Sequence, residues 1–464
     1  MKRVFKEVST LDRKCYEKFD LSEDLLMEHA AEAIKRVVER FDKDKKVLIV
    51  SGPGNNGADG ITLARLLQKD YEVKLLLPYG AKSKMAKLQL QRAKKVEVQE
   101  VDKVEDADIV VDAVFGSGMN RELDDKSVKI IEELNSLDAC KIACDIPTGI
   151  DINGNISKNA FNADITVTMG ALKEALFSDF AKDRVGEIEI ADLGVSSKLY
   201  EDESDVFLLE KSDLKLPLRE KKSSHKGDFG HLGVVCGRKH GAGIIASKAA
   251  FVFGAGLVTI ISNDSLEVPY EIMHSSTLPK RCNGVCIGMG LGYQYDDELL
   301  HDFVINHPHP VVIDADIFYH EFIVEILQKK RNIILTPHPK EFSSLLKLTC
   351  IADLGVDEIQ KRRFELVREF CSKFKDVVLL LKGSNTLIGQ NEKIFINPHG
   401  TNALSKGGSG DVLSGMIGSL SVQGYSTLQA AINGSLAHAL SAKSYAKNNY
   451  SLTPFDIIEG LKCL

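Results

Sequence analysis

Three glycines in four residues, Gly407, Gly408 and Gly410, run directly into Asp411 within TNALSKGGSGDVLSGMIGSL at 401–420. Glycine at that density loses much chain entropy on folding, which a purely structural helix start does not require. If a helix follows, the backbone amides converge at the positive end of its dipole and form an anion hole. Asp411 then stands where it can take a proton from an attacking hydroxyl while the amides bind a transferred phosphoryl group. No Walker A sequence is present, so this is not a P-loop site.

A second constellation lies near the other end. VLIVSGPGNNGADGITLARLL reads as strand, glycine-rich turn and helix, and carries Asn55, Asn56 and Asp59. IVVDAVFGSGMN puts Asp112 just before a further glycine turn at 116–120, and IACDIPTGID puts Asp145 just before Pro147 and Thr148. Singly, each acid is most simply an N-cap or an Asx turn. Ligands of open α/β sheets bind outside the carboxyl ends of strands. Three adjacent strand ends would therefore bring Asn56, Asp59, Asp112, Asp145 and Thr148 to one crevice.

The elements that must position these groups are short β-branched runs alternating with amphipathic stretches, the pattern of parallel sheets covered by helices. In the first half, strands are predicted at 46–51, 72–77, 108–114, 141–145, 165–169 and 187–191, after a helix at 22–41. From 195 to 226 the chain turns polar and highly charged, and a domain boundary is expected near 208–213. A second alternation follows, with strands at 232–236, 257–262, 285–289, 311–314, 333–336, 377–381 and 393–397. No internal repeat or low-complexity tract is evident.

At 464 residues the chain is too long for one ordinary core, and two domains of roughly 200 residues are the natural prior. A net charge of −7 without a long basic run argues against nucleic-acid binding by phosphate neutralisation. The nine cysteines are odd in number, several within apolar runs, and read as reduced buried thiols. The Cys282/Cys286 pair lacks the spacing and the second pair of a zinc clip. The charged start MKRVFKEVSTLDRK is unlike a signal peptide, and no apolar run reaches membrane-spanning length, so a cytoplasmic protein is expected.

GPGNNGADG, DAVFGSG and DIPTGID, in this order and spacing, resemble the hydrated-NAD(P)H epimerase family. The resemblance implies an N-terminal Rossmann-like α/β/α domain at 1–206. It implies substrate contacts from Asn55, Asn56, Gly57, Ala58 and Asp59, from Gly116, Ser117, Gly118, Met119, Asn120, Arg121 and Glu122, and from Asp145. It also implies a potassium ion held by Asn56, Asp112 and Thr148, whose hard oxygen ligands suit an alkali cation. Ala58 stands where the family usually has glycine, which would tighten the loop if that position needs a positive φ. Either Asp145 or Asp59 is expected to move the proton at the reacting carbon.

The GGSGD pattern resembles the ribokinase-like fold. HKGDFGHLGVVCG at 225–237, GAGIIASKAAFVFGAGLVTI at 241–260, IGMGLG at 287–292, ILTPHPKEF at 334–342 and LLKGSNTLI at 380–388 narrow the resemblance to the ADP/ATP-dependent NAD(P)H-hydrate dehydratases. The resemblance implies a second α/β/α domain at 207–464. Ala242, Gly290, His338 and Asp411 would contact the hydrated nicotinamide. Lys382, Gly383, Ser384, Asn385, Thr386 and Gly410 would hold ADP or ATP, with Mg²⁺ bridging its phosphates. Two departures are GMG for the family's GPG, and Lys340 for glycine in PHPGE.

The activity so implied is repair of hydrated NADH and NADPH. The first domain interconverts the R and S forms; the second, with Asp411 as base, dehydrates the S form at the expense of ADP, the donor bacterial members generally use. A homo-oligomer is expected, with no nucleic-acid or membrane partner. Two other readings stay open. The alternative for the C-terminal domain is a sugar or vitamin kinase, since that fold serves many phosphoryl acceptors. The N-terminal domain would serve as a non-catalytic binding module, like relatives of its fold in RNA decapping.

Overall fold

The computed structural model describes residues 1–119, 122–292 and 297–464. The chain divides into two compact units: Arg3–Ser204, and Asp205–Leu464 together with the first two residues.

In the first unit a seven-stranded sheet comprises β1 (Lys46–Ser51), β2 (Glu72–Leu76), β3 (Gln99–Val101), β4 (Ile109–Ala113), β5 (Cys140–Cys144), β6 (Ile165–Met169) and β7 (Glu187–Ala191). Their order is β3-β2-β1-β4-β5-β6-β7, every pair parallel. Val47 and Ile49 pack into one core cluster, Leu48 and Val50 into another, so β1 is covered on both faces. That double burial is why these strands read as unbroken apolar runs. The expected strands agree within one residue at each end; β3 was not expected, because QEV carries no apolar run and lies at the sheet edge. Chain order reverses between β1 and β4, which makes their carboxyl ends the switch-point crevice of such sheets. The expected helix at 22–41 is Glu23–Val38, with the Ser22 hydroxyl accepting from the Leu25 amide at 3.2 Å.

The second unit holds β8 (Val206–Leu208), β9 (His231–Val235), β10 (Leu257–Ile261), β11 (Met273–Ser275), β12 (Gly284–Ile287), β13 (Val311–Ile313), β14 (Ile333–Leu335), β15 (Val378–Leu381), β16 (Thr386–Gln390) and β17 (Lys393–Asn397). Their order is β11-β10-β9-β12-β13-β14-β15-β16-β17-β8. β16 runs antiparallel to both neighbours, so this sheet is mixed rather than wholly parallel. β8, β11 and β16 were not expected. β16 follows four residues after β15, too closely for the crossover that a parallel strand needs, and so forms a hairpin.

The glycine cluster does open a helix, Ser409–Val422, apolar on all sides and almost wholly buried. It packs so tightly on the helix His240–Val252 that a Cβ at Gly415 would lie 2.1 Å from the Ala246 carbonyl oxygen. Of the nine free cysteines, six are buried, Cys140 is half-buried, and Cys350 and Cys463 are exposed. Among the described residues, no helix is long and apolar enough to cross a membrane.

Candidate functional sites

The carboxyl ends of β1, β4 and β5 are level, with Val50 opposite Asp112 and Asp112 opposite Ala143. Above them lies a cavity of about 450 Å³. Asn55, Asn56, Asp59, Gly116, Ser117, Gly118, Met119, Glu122 and Asp145 line it. Val8, Asp12 and Met169, which carry no motif, line it as well. Asn120 and Arg121 lie outside the described residues.

The residues read as a glycine turn are instead the first turns of the helix Asn55–Leu67. Gly57 and Ala58 are buried behind the cavity wall rather than on it. The Ala58 amide bonds the Gly54 carbonyl at 3.1 Å in helical fashion, and Ala58 is not a positive-φ residue. Alanine is therefore unstrained there. Gly116 leaves room for two of these side chains, since a Cβ there would fall 2.8 Å from Asn56 Oδ1 and 3.0 Å from Asp145 Oδ2.

Two carboxylates of this cavity are driven apart electrostatically. Burial pushes the Asp145 carboxyl up, but the ammonium of the fully buried Lys173, 2.7 Å away, outweighs it with help from the Ser117 and Met169 amides. The net effect holds Asp145 below the ordinary carboxylate range. Among the described residues Asp59 has no such partner; burial and then the charges of Asp145, Asp12 and Glu23 push its carboxyl well up. Carboxyls shifted in opposite directions and facing one cavity have the arrangement of an acid–base pair. A third, Asp12, accepts from the Tyr200 hydroxyl at 2.7 Å and is also raised by burial. Lys173 and Asp12 were not singled out in the sequence, where both sit outside any glycine turn.

Asp112 and Thr148 come together, but beneath the cavity floor. The Thr148 amide and hydroxyl each donate to Asp112 at 2.7 Å, and the Val114 amide donates at 3.1 Å. Asp112 is 0% exposed and its carboxyl is pushed up to about 6 by burial, against the pull of those bonds. All these donors are neutral. Such a buried carboxylate with only dipolar neighbours suits a nearby alkali cation with amide and hydroxyl oxygens completing its ligands. Among the described residues there is no His, Cys, Asp and Glu cluster suited to a transition metal.

In the second unit, five neighbouring strands, β9, β12, β13, β14 and β15, end at one edge and feed the second site. After β9 comes Ala242, half-buried in the helix His240–Val252. After β12 comes Gly290 (φ 63°), where a Cβ would lie 3.1 Å from that of Ala242. After β14, His338 caps the helix Pro339–Leu348: its Nδ1 accepts from the Glu341 amide at 3.1 Å, and its own amide donates to Glu341 at 2.8 Å. Nδ1 as acceptor leaves the proton on Nε2. The buried Glu341 carboxyl is pushed up to about 7 by burial. Lys340 is exposed, so the family's missing glycine changes only the surface.

Lys382, Gly383, Ser384 and Asn385 form the turn after β15; Thr386 begins β16 instead of completing the loop. The turn is shaped by Arg363, whose Nη2 donates to the carbonyls of Leu381, Lys382 and Asn385 at 3.0–3.3 Å. Gly408 (φ 90°) bends the chain into the helix Ser409–Val422, placing Asp411 in the first turn. A Cβ at Gly410 would lie 3.4 Å from Lys382 Nζ, so an ammonium stands beside the glycine amides. Burial, then the charge of Asp314, pushes the Asp411 carboxyl up to about 6, against Lys382. The sequence carries a signal for Asp314 too: VVIDAD shows the same acid-after-strand signature as Asp112 and Asp145.

Comparison with known proteins bears on both units. A family model described as NAD(P)H-hydrate dehydratase matches residues 232–462, and one described as YjeF-related protein N-terminus matches 23–175. The chain is 43% identical to the bifunctional NAD(P)H-hydrate repair enzyme Nnr of Helicobacter pylori, over the whole of both chains. It is 32% identical to the Dictyoglomus turgidum protein of the same description, covering 98% of this chain and 96% of that one. A solved ribokinase-like superfamily protein from Enterococcus faecalis aligns at TM-score 0.50 with 21% identity, covering 57% of this chain and 96% of its own. That likeness establishes the ribokinase-like fold of the second unit.

Proposed function

The chain belongs to the bifunctional NAD(P)H-hydrate repair enzymes, and on that premise we propose how its residues divide the work. The protein is an enzyme that returns hydrated NADH and NADPH to use: an epimerase, assigned to residues 1–206, precedes a dehydratase, assigned to 207–464. The dehydratase family takes one epimer only, so the first domain supplies it from the other.

The substrate carries a hydroxyl on C6, next to the ring nitrogen. In the first domain, Asp59 donates a proton to that hydroxyl as the C6–O bond breaks, leaving water and a ring iminium. Water then adds to the other face and gives its proton to Asp145; the reverse direction exchanges the two roles. Asn56, Asp112 and Thr148 would hold potassium, which supplies a positive charge to offset Asp112. Replacing K⁺ with tetramethylammonium is expected to slow epimerisation about tenfold and to lower the first domain's melting temperature, through loss of a ligand bound only by the folded state. No change in either would contradict the potassium assignment.

In the second domain, Asp411 takes the C6 hydroxyl proton while the oxygen attacks the terminal phosphorus of ADP, and AMP leaves. Phosphate then departs from C6, and loss of a C5 proton restores the C5–C6 double bond. The amides at 407–410 and Lys382 meet the charge on the transferred phosphoryl group. Mg²⁺ carried on the nucleotide would supply further charge neutralisation. The observation that carries this reading is Asp411 in the first turn of a glycine-opened helix, with Lys382 beside Gly410.

The base must be ionised, and its carboxyl is raised to about 6. kcat/KM for dehydration is therefore expected to be flat above about pH 7 and to fall tenfold per unit below about pH 6. A limb near pH 4 would deny Asp411 that role. The functional test mixes both epimers of hydrated NADH with the protein and ADP or ATP. Absorbance of the reduced nicotinamide should return with release of phosphate. Accumulation of a stable phosphorylated product would instead mark a small-molecule kinase.

A further inference from the structure

Asp314 follows β13, between the glycine loop after β12 and the Pro337–His338 turn after β14, and is 2% exposed. Its Oδ1 accepts from Lys382 Nζ at 2.7 Å and from the Ala315 amide at 2.9 Å. Its Oδ2 accepts from the Ser414 hydroxyl at 2.6 Å. Ser414 lies three residues beyond Asp411 on the same helix, so a single carboxylate ties the Lys382 hairpin to the helix that bears the base. The backbone here is tightly constrained. A Cβ at Gly288 (φ 118°) would lie 1.7 Å from the Asp314 carbonyl oxygen, and Ala315 adopts φ 51°, a costly conformation for a residue with a Cβ.

We infer that Asp314 is a positioning residue for phosphoryl transfer: it aims the Lys382 ammonium at the nucleotide's terminal phosphate beside Gly410 and locks that hairpin to the helix carrying Asp411. The inference rests on the dehydratase reading above. Its chemistry is that of a buried ion pair whose cation is left with spare N–H donors, since an ammonium has three. The carboxylate holds one; the phosphate takes another. Asp314 also faces Asp411, where its negative charge opposes ionisation and Lys382 favours it. Among the described residues, His338, Glu341, His438 and the buried Cys286 thiol also sense the charges of Asp314 or Lys382.

The test compares Asp314→Asn, Lys382→Met and the double variant for ADP binding by calorimetry with Mg²⁺, and for the pH profile of dehydration. Asp314→Asn is expected to weaken ADP binding about 10- to 100-fold and to lower kcat about 100-fold, with KM for hydrated NADH within about twofold. The acid limb set by Asp411 should move to lower pH, since an opposing charge is gone. The double variant should bind ADP no worse than Lys382→Met alone, because the two act as a unit. Unchanged ADP affinity in Asp314→Asn, or additive losses in the double, overturns the inference. If Asp314→Asn does not fold, the double variant, which leaves no unpaired buried charge, is compared with Lys382→Met and decides alone. Should the wild-type protein restore no NADH, the dehydratase reading fails, while the ADP-binding comparison still decides the role of Asp314.

Discussion

Asp411→Asn is expected to lower dehydration of the S epimer by about 10³- to 10⁴-fold while ADP affinity stays within about threefold. Asparagine keeps the size of the side chain and the helix start, because Gly408 rather than Asp411 makes the left-handed bend. What it removes is the only acceptor in that first helical turn whose proton affinity, near pH 6, suits a base at neutral pH. The C6 hydroxyl is a weak nucleophile while it keeps its proton, so the loss falls on kcat. The check is a steady-state assay with ADP and purified S epimer, beside a calorimetric titration with ADP. Near-normal turnover in the variant would remove Asp411 from the chemistry.

Asp145→Asn is expected to slow interconversion of the R and S forms by about 10²- to 10⁴-fold. The backbone should accept the change, because asparagine tolerates the positive φ of 71° that Asp145 adopts. The charge will not. Lys173, fully buried and 2.7 Å away, would lose its counter-ion, and breaking a buried pair from one side costs about 3–5 kcal/mol. The variant should therefore be both slow and less stable, whereas Asp145→Asn/Lys173→Met should recover stability without recovering activity. Chromatographic separation of the epimers and thermal unfolding measure the two effects. Full activity in Asp145→Asn would leave Asp59 as the sole proton carrier.

Much of this was legible in the sequence, for identifiable reasons. The central parallel strands announce themselves because both faces are buried, so β1 and β6 have the expected bounds. The short edge strands β3 and β11, and the hairpin strand β16, lack that signature and went unseen. The clustering of Asn56, Asp59 and Asp145 at strand ends follows from sheet topology alone. The sequence offered no reason to choose between Asp59 and Asp145, because their difference is made by Lys173, which reaches Asp145 only through the fold. The depth of Asp112 and Thr148 beneath the cavity was likewise invisible. Asp314 is a different case: its signature was present, but no glycine turn follows it, and its importance appears only in the three bonds its carboxylate makes.

In dehydration by this route, the C6 oxygen becomes a phosphate oxygen before it leaves. Hydration of NADH in ¹⁸O-water labels that oxygen, and the purified S form can be turned over with ADP in unlabelled water. Mass spectrometry of the inorganic phosphate should find a single ¹⁸O in each molecule released. Unlabelled phosphate, with the ¹⁸O recovered in water, would show that nucleotide cleavage and dehydration are separate events and that no phosphoryl group passes to the substrate.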